Sequence, residues 1–181
     1  MAEHPAHLVY PAHLVREHRL LDGRTVTIRP VRATDEAPER EFFNHLSGES
    51  RYLRFHKWVH APSERLIHFL TAIDYDQHMA FVCVARKADA EEIVGEARYV
   101  ADPDGRNCDF GIVIADDWHK TGIAGLLMEA LIGAARARGL AGMEGLVLAS
   151  NREMVRFARA LGFEVKTAPD DPTTRRIFKK L

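Results

Sequence analysis

The chain has 181 residues, 46% hydrophobic and 28% charged, which suits one globular domain with a sizeable core. Lys and Arg number 25 against 26 Asp and Glu, a net charge of −1 without the basic excess expected of a nucleic-acid binder. The two cysteines, Cys83 and Cys108, form no C-x-x-C or disulfide framework, and no apolar run approaches the roughly 20 residues that span a bilayer.

The N-terminal MAEHPAHLVYPAHLVREH has no signal-peptide apolar core, so a soluble cytoplasmic chain without membrane partners is expected. It contains A-H-L-V twice, at Ala6–Val9 and Ala12–Val15, which is too little for a repeat architecture. Residues 1–20 read as an extension and 21–181 as one domain. From Leu21 the pattern is strand-like, with Asp22-Gly23 as a turn and Val26 and Ile28 alternating with polar positions. Thr34 or Asp35 caps a helix running to about Leu46. Pro62 and Ser63 open another, with Leu66, Ile67, Phe69 and Leu70 on its apolar side.

Three strands follow as an antiparallel meander: Met79–Lys87, Glu92–Val100 and Asn107–Ala115. A helix begins after Gly122 and stops at Gly139. Next come a strand at Gly145–Ala149, a helix at Asn151–Leu161 ended by Gly162, a strand from Phe163 and a last strand after Pro172. The order predicts an α/β fold: a mixed, mostly antiparallel sheet with helices on both faces in a single domain. Of ten histidines, His56 and His60 stand four apart. No H-E-x-x-H and no cysteines at zinc spacing accompany them, so no metal is expected.

The stretch DDWHKTGIAGLLMEALIGAARARG places Gly122, Ala124 and Gly125 where a helix starts. Glycine inside a helix costs about 1 kcal/mol relative to alanine, so the placement needs a reason. One is that an anion approaches the free N–H groups of the helix N-terminus; the other is close helix packing. A P-loop fails because no Gly-Lys pair occurs, and a dinucleotide fingerprint fails because G-I-A-G follows a meander. Lys120-Thr121-Gly122 spells the K-T-G of penicillin-binding proteins, yet no S-x-x-K supplies a nucleophile.

The segment resembles motif A of the GNAT superfamily of acyl-CoA-dependent N-acyltransferases, Q/R-x-x-G-x-G/A. Here that register reads His119-Lys120-Thr121-Gly122-Ile123-Ala124, departing from the pattern at His119. The resemblance implies that N–H groups from Thr121 to Gly125 cradle the pyrophosphate of acetyl-CoA. It also implies that main-chain groups around Ile112, Val113 and Ile114 hold the pantetheine arm, with Asn151 both capping its helix and touching that arm. Phe157 packs nearby. Many members carry a tyrosine seven residues after this asparagine, where this chain has Ala158.

Longer segments, among them LSGESRYLRF, IDYDQHMAFV and ADPDGRNCDFGIVIADDW, resemble the acetyltransferase domain of bacterial Pat-type protein-lysine acetyltransferases. Many relatives fuse that domain behind an acyl-CoA-synthetase-like domain. No counterpart occurs in this sequence, so a catalytic unit without that regulation is expected. The resemblance implies an acetyl-CoA-dependent N-acetyltransferase acting by direct attack in a ternary complex. The acceptor it implies is a protein substrate bearing a reactive lysine, such as an acyl-CoA synthetase. A small-molecule amine acceptor and a non-catalytic acyl-CoA sensor are the alternatives. The family's catalytic glutamate falls at Asp109, which alternation puts on one strand face with Gly111 and Val113; Glu96 on the neighbouring strand is the second candidate base. A covalent cysteine relay is not expected, because neither cysteine has a histidine nearby in sequence.

Overall fold

Asp22 and Gly23 make the turn that the sequence predicts, with Gly23 at φ +89° and Asp22 accepting from the N–H of Arg24 at 3.0 Å. The turn joins two strands, β1 (Arg16–Arg19) and β2 (Thr25–Pro30), so the sheet starts before the expected boundary at Leu21. The segment R-E-H-R is an edge strand with no apolar alternation, which is why its sequence carries no strand signal. The computed structural model describes residues 9–181. Most of the first A-H-L-V copy, with the start of the expected extension, lies outside that range, and the second copy forms a single 3₁₀ turn at Ala12–Leu14.

Three helices follow, one more than the sequence suggests: α1 (Glu36–His45), α2 (Gly48–Phe55) and α3 (Glu64–Thr71). Asp35 precedes α1 but does not cap it. Its carboxylate is taken by Arg29, at 2.7 and 2.9 Å, and by the N–H of Arg32 at 2.7 Å. Ser47 caps α2, accepting from the N–H of Ser50. α2 is only eight residues long and none of them is fully buried. Ser63 caps α3 as expected, and Ile67 and Leu70 are buried while Phe69 turns outward, 47% exposed.

The meander forms as β3 (His78–Lys87), β4 (Ala90–Ala101) and β5 (Asn107–Ile114). Then come α4 (Ile123–Arg138), β6 (Gly142–Leu148), α5 (Arg152–Ala160), β7 (Glu164–Ala168) and β8 (Asp171–Lys180). Gly139 and Gly162 end the two helices at φ +84° and +81°, as their positions predict. The strands form one sheet in the order β1-β2-β3-β4-β5-β6-β8-β7, in which only β5 and β6 run parallel. One face packs Ile123, Leu127, Met128 and Leu131 of α4 against Phe81, Cys83, Ala97 and Tyr99. The opposite face packs Phe42 and Leu46 against Val31, Val82, Val84 and Ile93. This is the expected mixed, mostly antiparallel single-domain fold.

A polar layer lies beneath α1. Glu96 accepts from Arg98 Nε at 2.6 Å; Arg98 also donates to the Leu70 carbonyl at 3.1 Å and stands 2.9 Å from His78 Nε2. Burial, helped by Arg98, pushes the His78 pKa down to about 4, so its neutral ring accepts from the guanidinium. Burial opposes the charge on Glu96, but Arg98 outweighs it and holds that carboxyl below its usual range. Glu39 beside it is 1% exposed, and burial together with the Glu96 charge raises its pKa well above the usual value. Glu39 is thus the protonated partner, donating to Glu96. A group whose pKa is raised by folding stabilises fully at low pH and loses that contribution as pH climbs through the raised value. Glu39→Gln stays neutral throughout, so its unfolding free energy should fall less than that of wild type as pH rises above the carboxylate range. Urea denaturation at stepped pH checks this; parallel curves would show that Glu39 does not titrate with folding.

Candidate functional site

β5 and β6 pair over only three residues, Asn107 to Asp109 against Gly142 to Glu144, and then part. The ring of Phe110 fills the apex of this fork. It meets Phe163 at 5.2 Å and lies so close to Gly145 that a Cβ there would stand 3.1 Å from it. Past the apex β5 is bonded to β4 alone. The N–H of Ala115 donates to the Val94 carbonyl at 2.9 Å, so alternation turns the main-chain groups of Ile112 and Ile114 into the opening, and those of Val113 toward β4. His119 Nε2 lies 3.1 Å from the Ile114 carbonyl there.

The N-terminus of α4 stands at the mouth of the fork. Gly122 takes φ +93° as its N-cap and Lys120 takes φ +62°, a left-handed pair of turns that exposes the following donors. Among the described residues the N–H groups of Thr121, Gly122, Ile123 and Ala124 make no main-chain bond, whereas that of Gly125 donates to the Gly122 carbonyl at 3.1 Å. Four of the five N–H groups singled out in the sequence are therefore free. A Cβ added at Gly122 or Gly125 would meet nothing within 4 Å, so close helix packing is not what these glycines serve. The Ile123 side chain is buried and anchors the turn, and Thr121 Oγ1 donates to the Trp118 carbonyl at 2.7 Å. On the far bank Asn151 Oδ1 accepts from the N–H of Met154 at 3.1 Å, which leaves its NH₂ free of the cap. Phe157 is half-buried against the α4-side core. Ala158 is completely buried, so that position supplies neither a hydroxyl nor room for one.

On the sheet face under α1 and α2, Asp109, Gly111 and Val113 stand opposite Val100, Arg98 and Glu96 of β4. The two candidate carboxylates share this face but lie four strand positions apart, roughly 13 Å. Asp109 is exposed at the apex of the fork; partial burial, then Glu144 and Asp102, raise its pKa against the pull of Arg176. Glu96 is 3% exposed and committed to Arg98. Both thiols are fully buried, and burial pushes each pKa up to about 12, which removes the thiolate a covalent relay requires.

The sequence reading missed Arg54, which α2 lays over the backbone of β5. A Cβ on Gly111 would stand 2.6 Å from its Cζ, so this glycine inside a strand marks the close approach of a guanidinium. The position of α2 is set from the far side of the fork. Asp116, in the turn before α4, accepts from Ser47 N and Oγ at 2.9 Å each and from Ser50 Oγ at 2.7 Å.

An opened parallel pair, a helix N-terminus with free donors at its mouth and a carboxylate at its apex together suit transfer from a phosphate-bearing thioester. The family comparison agrees, for residues 25–164 match the model of the acetyltransferase (GNAT) domain. The chain belongs to the GNAT family of acetyltransferases. An acetyltransferase of Pseudomonas aeruginosa is 40% identical over 152 residues, 84% of this chain and 82% of that protein. The acetyltransferase Pat of Mycolicibacterium smegmatis is 29% identical over 143 residues, 77% of this chain but only 41% of that protein. The GNAT domain of PAT from S. lividans superposes with a TM-score of 0.86 over 96% of this chain and all of that one; at 24% identity this is a likeness of fold. For this GNAT acetyltransferase, Asp116→Ala removes three bonds to the start of α2. Hydrogen exchange should show amides of α2 losing protection at least tenfold while those of β3 and β4 stay unchanged. Unaltered α2 protection would mean that packing, not Asp116, holds the helix.

Proposed function

We propose that this GNAT acetyltransferase transfers the acetyl group of acetyl-CoA to a lysine ε-amine of a protein, by direct attack in a ternary complex. The observation that carries the reading is Asp109, exposed at the apex of the fork, where the free main-chain groups of β5 begin. Four N–H donors at Thr121, Gly122, Ile123 and Ala124, reinforced by the helix dipole, suit the pyrophosphate, with His119 and Lys120 leading into them. The main-chain groups of Ile112 and Ile114 suit the amides of the pantetheine arm, and Asn151 and Phe157 form the opposite bank.

A lysine amine has an ordinary pKa near 10.4, so only about one molecule in two thousand is neutral at pH 7. Asp109 takes the proton as the N–C bond forms, and its raised pKa brings it closer to the pH of the reaction. Glu96, buried and bound to Arg98, is the weaker candidate. The acceptor site around Asp109 is open, which favours a lysine on a protein surface. The enclosed space beside Val113 has a volume of about 10 Å³, too small for a polyamine or aminoglycoside. The Pat-like segments carry the reading toward acyl-CoA synthetases as targets and a cytoplasmic setting.

Gly122→Asp adds a negative charge and a side chain where the pyrophosphate would sit, so acetyl-CoA affinity by calorimetry should fall at least tenfold in a folded variant. Retained affinity would remove the phosphate site from α4. Asp109→Asn keeps the shape but cannot accept a proton, so kcat should drop ~10²-fold or more with acetyl-CoA affinity unchanged. Turnover within threefold of wild type would transfer the role to another group. Labelled acetyl-CoA with whole-cell lysate tests the acceptor: label on a few proteins supports the reading, and much faster turnover of spermidine or free lysine overturns it.

A further inference from the structure

A guanidinium taken out of water costs several kcal/mol unless a counter-charge and hydrogen bonds offset it. Arg29 meets this condition through Asp35, and Arg98 through Glu96. Arg54 does not. Its Nε is buried without a hydrogen-bond partner, and none of the ion pairs among the described residues includes it. Burial pulls its pKa down, although Glu96 partly restores it. The cavity beside it, of about 10 Å³, is lined by Phe43, Phe55 and Val113 and by the carboxyl groups of Glu39 and Glu96, and it holds at most one water. Arg54 is thus a half-buried cation with Glu96 as its nearby counter-charge, but Glu96 is bonded to Arg98 and the Arg54 guanidinium keeps its donors spare.

That cation lies against Gly111, two residues from Asp109 and one from Ile112, whose N–H faces the opening. We propose that Arg54 is a catalytic residue that binds the carbonyl oxygen of the acyl thioester and stabilises the oxyanion developing on it. The proposal rests on the reading above, in which the thioester lies along β5 at Gly111 and Ile112. In the step, the amine lone pair forms the N–C bond while the carbonyl π pair moves onto oxygen, which accepts from the guanidinium and from the N–H of Ile112. The amine proton passes to Asp109 and on to solvent. Collapse restores the carbonyl, breaks the C–S bond and sends its electron pair out on the CoA sulfur, which takes a proton from solvent. In a site of low dielectric a fixed charge aimed at the developing oxyanion is far stronger than in water. This gives the unused donors of Arg54 a role that folding alone does not.

Three variants test it, with wild type as the control. Loss of acetyl transfer by wild type would defeat the function reading, not this one. Arg54→Met removes a half-buried guanidinium that makes no hydrogen bond, so Tm should stay level or rise, while kcat falls ~10²-fold or more and acetyl-CoA affinity holds. Arg54→Lys, which keeps the charge without the planar donors, should recover part of that loss. Gly111→Ala keeps the arginine but displaces its Cζ from 2.6 Å contact, and should reproduce the kcat defect. The proposal is overturned if Arg54→Met turns over within threefold of wild type. It is also overturned if that variant melts lower or fails to fold, which would make Arg54 structural. A loss confined to KM for the acceptor would assign Arg54 to the acceptor and equally overturn it.

Discussion

The parting of β5 from β6 is the constraint on which the rest of the molecule depends. Two strands that pair for three residues and then diverge leave one row of main-chain donors and acceptors without a sheet partner. Unpaired backbone groups are costly when buried, so the opening must face water or a ligand. Phe110 enforces the parting, because its ring occupies the space where β6 would otherwise close, and Gly145 yields that space by having no side chain. The core on the α4 side holds the rigid base of the fork through Cys108, Met143 and Ile177. Chemistry at the apex is thus supported by packing below it.

Much of this was legible in the sequence, for definite reasons. The meander strands and α4 have strong periodicity and turn residues at their ends, and they stand where expected. Glycine at the Gly122 turn contradicts helix propensity, which left anion approach or close helix packing as reasons, and the open space around it removes the packing. Two elements escaped. β1 is polar on both faces and offers no alternation to read, and α2 is a short helix that buries none of its eight residues fully. Arg54 escaped with α2, since nothing local to L-S-G-E-S-R-Y-L-R-F says that its last arginine will lie on a glycine nearly sixty positions later. Gly111 was the available clue, since glycine inside a strand marks a bulge or a close approach, but it does not say which residue approaches.

Glu39 and Glu96 show a similar limit. Each looks like an ordinary helix or strand carboxylate in the sequence, and only the packing of α1 on β4 brings them together under Arg98. The pair resolves its repulsion by keeping one proton, which makes Glu96 a structural anion, while Asp109 on the same sheet face stays exposed. Two acids on one face thereby differ in their solvation.

Asp116 gives the fold a practical property. Its carboxylate belongs to the segment that leads into α4, yet everything it grips lies at the start of α2. Ser47, Ser50 and Asp116 consequently behave as a single heritable part despite a gap of more than sixty residues. An engineer who transplants α1 to α3 from another acetyltransferase must carry the matching residue at 116 as well. A chimera cut between the two would join helices of one pedigree to a latch shaped for another.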